Sequence, residues 1–143
     1  MKLTIELVPS SCWYSNVRSN VKPVIWKKIQ KFVFEKAEYK CEICNGIGYK
    51  HPVECHEIWE YDDINKIQTL QKCIALCPSC HQVKHYGLAM IQGKEKKVKK
   101  WLCKMNNISE KEANNYISNV FNIYNERSKY TWNLNIKWIE EII

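Results

Sequence analysis

The chain has 143 residues and a formal net charge of +7; 45% of its residues are hydrophobic, 26% are charged, and it has only four glycines and four prolines. That length is one ordinary domain and excludes a second full one, while the composition excludes a disordered chain or a fibrous repeat. No signal-peptide core or membrane-length apolar window is present, which predicts a soluble, cytoplasmic, non-secreted protein with no membrane partner.

Leu3, Ile5 and Leu7 alternate with Lys2, Thr4 and Glu6, the period of a strand that Pro9 ends. Arg18 and Lys22 beside Trp13 and Tyr14 form a candidate basic surface, although an aromatic cluster before a helix is expected to pack into the core. Pro23 stands at a first helical position, and Trp26, Ile29, Val33 and Ala37 follow at helical spacing, so a helix leads to the first cysteine pair. Residues 53–61 and 66–76 are β-compatible runs separated by Asp62-Asp63-Ile64-Asn65, which predicts a hairpin. A short helix over 81–85 is expected to end at Gly87. Val98, Trp101, Leu102 and Met105 form an apolar stripe behind a lysine run, Ser109 and Glu112 form a capping box for a long helix, and Trp132 to Trp138 alternate as a strand able to pair with the first.

Eight cysteines occur at 12, 41, 44, 55, 73, 77, 80 and 103. In a reducing compartment clustered cysteines bind metal more readily than they form disulfides. Cys41-x2-Cys44 and Cys77-x2-Cys80 are paired knuckles, and four thiolates at that spacing suit one tetrahedral structural Zn2+ that staples the two ends of the hairpin. Cys12, Cys73 and Cys103 read as small apolar residues, and His51 as a loop residue without a role. Cys55-His56 lies on the first hairpin strand. His81 and His85, four apart after the last knuckle, face one way on a helix and suit a second metal.

The order Cys-x2-Cys, then Cys55-His56 on a strand, then Leu76-Cys77-Pro78-Ser79-Cys80-His81 leading to Lys84 and His85, resembles the HNH endonucleases. The resemblance covers residues 41–87, with 1–40 and 88–143 as flanking elements of one domain. It implies a ββα-metal core braced by the four-cysteine zinc site, which with the N-terminal strand and helix and the C-terminal helices plus a strand read above predicts an α+β protein. It implies His56 as general base, Cys55 as the strand ligand, and His81 with His85 as helix ligands of a catalytic divalent metal (Mg2+, Mn2+, Ni2+ or Zn2+). Lys72 falls near the family's middle Asn, and Cys55 replaces its usual Asp.

The implied activity is metal-dependent hydrolysis of DNA phosphodiester bonds, with RNA possible as a partner. From Lys84 to Lys104 the chain has seven lysines and one glutamate, and Lys84, Lys94, Lys96, Lys97, Lys99 and Lys100 would track the phosphate backbone. A second assignment joins His56 to His81 and His85 as a three-histidine site with Glu57 as base, although strand alternation sends Glu57 to the Cys55 side. The non-enzymatic alternative is a zinc-stabilised module that binds nucleic acid or protein and has lost turnover.

Overall fold

The computed structural model describes residues 1–47 and 52–143; the reading of His51 lies outside them. Its elements are α1 (Val17–Asn20), α2 (Pro23–Lys36), β1 (Glu54–Asp62), β2 (Ile67–Leu76), α3 (Pro78–Lys84), α4 (Tyr86–Ile91), α5 (Glu95–Asn106), α6 (Glu110–Arg127) and β3 (Asn133–Asn135), with 3-10 turns at Ser10–Cys12 and Lys137–Glu141. The architecture is α+β, as expected, around a three-stranded sheet of order β1-β2-β3.

The hairpin forms because Asp62 caps its own turn: one carboxylate oxygen accepts the N–H groups of Ile64 and Asn65, both at 3.0 Å. β1 and β2 pair antiparallel, with Glu54 opposite Leu76 and Asp62 opposite Ile67. A bulge moves the register from Ile58↔Lys72 to Trp59↔Leu70. The extra residue lets Leu70 face the same side as Cys73 and Ala75, while Gln71 and Lys72 stand in solvent.

Both faces of the hairpin are covered. Ile74 and Leu76 pack against the N-terminal segment and α3 to α6, through residues such as Leu3, Val83, Tyr86 and Leu102. Val53, Cys73 and Ala75 pack on the opposite side against Val17 of α1, Ile29 and Val33 of α2, and Ile139. Pro23 opens α2, and the capping box at Ser109 and Glu112 opens α6, both as the sequence predicts.

Three expectations are corrected. Residues 1–8 join no ladder; Leu3 and Ile5 are buried, and their N–H groups are instead satisfied by Asn106 Oδ1 and Tyr116 Oη, each at 2.9 Å. The expected partner strand lies elsewhere: β3 is three residues long and pairs parallel with the start of β2, Ile67 opposite Asn133, before the chain tightens into the Lys137–Glu141 turn. Gly87 does not end a helix. α3 ends before His85 (φ −98°, ψ 48°), and α4 continues through Gly87 because Tyr86 and Ala89 are drawn into the core. Among the described residues the left-handed glycine is Gly93, at φ 71°, between α4 and α5.

Candidate metal centres

The two knuckles meet as their spacing predicts. One Sγ atom from each of Cys41, Cys44, Cys77 and Cys80 lies within 4.8 Å of the others. Cys44 and Cys77 sulfurs are 3.6 Å apart, close to the edge of a sulfur tetrahedron built on zinc bonds of about 2.3 Å, which is about 3.8 Å. The backbone builds this cup. Cys41 N–H donates to Gly46 O at 2.9 Å and Asn45 N–H to Cys41 O at 2.8 Å, with Asn45 left-handed at φ 61°. Glu42 docks the knuckle on the end of β2: its N–H donates to Ala75 O at 2.9 Å and its carboxylate accepts Ala75 N–H at 2.7 Å.

Donors also point at the sulfurs, as thiolates require: Gly46 N–H lies 3.4 Å from Cys44 Sγ and Trp101 Nε1 3.3 Å from Cys80 Sγ. A Cβ at Gly46 would come within 3.2 Å of Cys44 Sγ, so glycine keeps that approach open. The hydrogen bond with Cys80 pulls the Cys41 thiol down to about 4. The donor set and its spacing fit a structural zinc ion.

The second cluster consists of His56, His81 and His85, with one nitrogen of each within 4.8 Å of the others. His56 faces inward from β1 and is 3% exposed, while His81 and His85 approach from α3 and the residue that closes it. The Nε2 atoms of His81 and His85 are 3.1 Å apart, near the roughly 3.3 Å separation of two ligands on a tetrahedral ion with bonds of 2.0–2.1 Å. Burial, then the nearness of His81 and His56, pushes His85 down to about 4. Burial and His56 also lower His81, against the pull of Glu54. Neutral imidazoles that close together present the lone pairs a cation takes. Glu54 Oε1 lies 3.0 Å from His81 Nδ1 and turns the opposite nitrogen toward the cluster.

Two carboxylate contacts had no assignment from sequence. Glu54 was legible as a neighbour of His56 on one strand face, but its bond to His81 depends on how α3 packs. Glu6 had no signal at all. Its Oε2 atom lies 3.2 Å from His56 Nε2 and is ion-paired to Lys84.

The other assigned residues separate. Cys55 is corrected as a ligand partner of His81 and His85: it points to the opposite face of the sheet, among the residues that pack on α2, with its thiol against Cys73. Glu57 lies on that same face, where its carboxylate accepts Val17 N–H at 3.2 Å, so it is not placed to act as a base at the histidines. Lys84 is corrected as a phosphate contact. It is 4% exposed, pairs with Glu6, and donates to Thr4 Oγ1 at 2.9 Å. Lys94, Lys96, Lys97 and Lys100 are exposed, whereas Lys99 is half-buried with its ammonium 3.9 Å from Glu95. Lys97, Lys100 and Lys104 line a groove of about 240 Å³ with Ser79, Gln82 and Trp101, between α3 and α5. The aromatic pair expected in the core is outside it: Trp13 is 58% and Tyr14 88% exposed.

Burial pushes the Glu57 carboxyl from 4.5 up to about 7, against hydrogen bonds from Val17, Trp59 and Arg18. Between those values the unfolded chain binds fewer protons than the folded one, so Glu57 lowers stability as pH rises. Glu57→Gln should therefore be more stable than wild type at pH 8, by up to about 3 kcal/mol, and equal to it at pH 4. Urea denaturation at both values checks this; equal stabilities at pH 8 would mean that the charge is solvated.

Among the described residues no helix is long and apolar enough to cross a membrane. Searches of protein-family models, curated proteins and solved structures find no match to the chain.

Proposed function

We propose that the chain is a metal-dependent HNH-type endonuclease that hydrolyses DNA phosphodiester bonds, with one divalent ion held by His56, His81 and His85. The observation that carries the reading is the convergence of these three histidines from β1 and from the helix after β2, beside a four-cysteine cluster that anchors the same helix. This is the strand–strand–helix order expected of a ββα-metal core, with His56 in place of Cys55 as the strand ligand.

Three imidazole donors suit Zn2+ or Ni2+ better than Mn2+ or Mg2+, which prefer oxygen ligands. When bound, such an ion supplies Lewis acidity toward a phosphate oxygen and lowers the pKa of water. The chain's residues do the rest. Burial and the neighbouring histidines push His81 and His85 toward the neutral form, Glu54 orients His81, and the covering of both sheet faces keeps His56 away from bulk water.

The first test is incubation of supercoiled plasmid with the protein in EDTA and in each of Mg2+, Mn2+, Ni2+ and Zn2+, together with a count of bound ions. Nicking that requires a divalent ion, with two ions per chain, is the expected result. One zinc per chain and no cleavage of DNA or RNA under any metal would instead indicate a zinc-braced binding module.

The exposed lysines of α5 would hold the phosphate backbone without reading sequence. Replacing Lys96, Lys97 and Lys100 with Ala should weaken DNA binding and reduce the slope of log K against log salt by about 2–3. Metal content should stay unchanged. An unaltered salt slope would move the DNA path off this helix.

A further inference from the structure

Glu6 comes from outside the hairpin and helix that carry the three histidines, yet it is fixed against them. The N-terminal segment is tied down up to and at this residue. Leu3 N–H and O are bonded by the Asn106 side chain at 2.9 and 2.7 Å, Ile5 N–H donates to Tyr116 Oη at 2.9 Å, and Glu6 N–H donates to Lys84 O at 3.1 Å. Buried Lys84 grips the Glu6 carboxylate with its ammonium and anchors that ammonium on Thr4 Oγ1. A carboxylate paired with a buried ammonium accepts hydrogen bonds, so the Nε2 atom of His56, 3.2 Å from Glu6 Oε2, is placed as the donor.

Glu6 is not among the residues whose ligand atoms converge. It stands behind His56 as Glu54 stands behind His81, with the ring nitrogens exchanged: Glu54 meets Nδ1 and Glu6 meets Nε2. Carboxylates in that relation fix the tautomer and orientation of metal-binding histidines. Resting on the three-histidine reading, we propose that Glu6 is a positioning residue of that centre: held by Lys84, it accepts the Nε2 proton of His56 and commits Nδ1 to the ion. The N-terminal segment thus completes a centre whose ligands all lie 50 or more residues further along the chain.

The test titrates Co2+ into protein whose four-cysteine site holds zinc, following the visible d–d bands, for wild type, Glu6→Gln and Glu6→Asp. Glu6→Gln should weaken the second ion about 10–100-fold, and Glu6→Asp should recover part of the loss, with zinc content and circular dichroism unchanged. An affinity within twofold of wild type in folded Glu6→Gln would overturn the assignment. A measurement on wild type alone guards against a variant that does not fold: long-range 1H–15N correlation of the zinc-loaded protein should find His56 protonated at Nε2. Zinc on Nε2 would overturn the proposal while leaving the three-histidine centre intact, whereas no second ion in wild type would remove both.

Discussion

With the four-cysteine cluster holding the structural zinc ion that its donor set fits, chelating that ion is expected to abolish cooperative folding. The site joins the loop after α2, the end of β2 and the first turn of α3, and three of its cysteines are buried. Without a cation, ionising these sulfurs would place like charges within 4.8 Å of one another, and leaving them protonated would give up the N–H···S bonds from Gly46 and Trp101 their best acceptors. Structural zinc sites bind with apparent free energies of about 10–16 kcal/mol, whereas whole domains are stable by only about 5–15 kcal/mol. With the hydrophobic core divided between two faces of one hairpin, the ion outweighs the margin. Thermal melts by circular dichroism after treatment with a strong chelator should lose their sigmoidal transition, and zinc should restore it. Cys77→Ser should behave like the stripped protein. A chelated sample melting within a few degrees of the zinc form would show that packing alone suffices.

The residues of this staple were legible in the sequence because metal geometry constrains spacing: two residues between cysteines is what a turn around one ion requires. The capping box, the helix stripes and the hairpin were legible for a similar reason, since each is set by residues within a few positions of one another. The identity of the strand ligand was not. Alternation along β1 separates His56 from Cys55 and Glu57, but it does not say which face meets α3. That choice is marked when one face is polar, and here both are covered, with Ile74 and Leu76 on one side and Cys73 and Ala75 on the other. The environments of Lys84 and Glu6 were not legible because they arise from long-range packing of residues 3–6 across α3, α5 and α6. The alternation of Leu3 and Ile5 correctly marks an inward-facing segment, yet nothing local says that side chains would satisfy its backbone in place of a strand.

His56→Ala should separate the two chemical roles open to this histidine. If His56 holds the ion with His81 and His85, its loss removes one of three nitrogens, and the second-site affinity should fall by more than the roughly 10–100-fold typical of losing an outer partner. Cleavage at low metal should then fall by a similar factor and recover in part as the metal concentration rises, because His81 and His85 remain 3.1 Å apart to hold it. If His56 were the general base, affinity would be unchanged and the rate would drop by about 10²–10⁴ at every metal concentration. The geometry favours the first outcome: the His56 ring lies 5.2 and 5.3 Å, centroid to centroid, from His81 and His85, and Glu6 occupies its Nε2. With Nε2 engaged by Glu6 and Nδ1 on the ion, as proposed, no ring nitrogen would be left to take a proton from water while the site is loaded. Parallel measurement of Co2+ affinity and plasmid nicking over a metal series decides the matter, and a rate deficit that no metal concentration relieves would return His56 to the role of base.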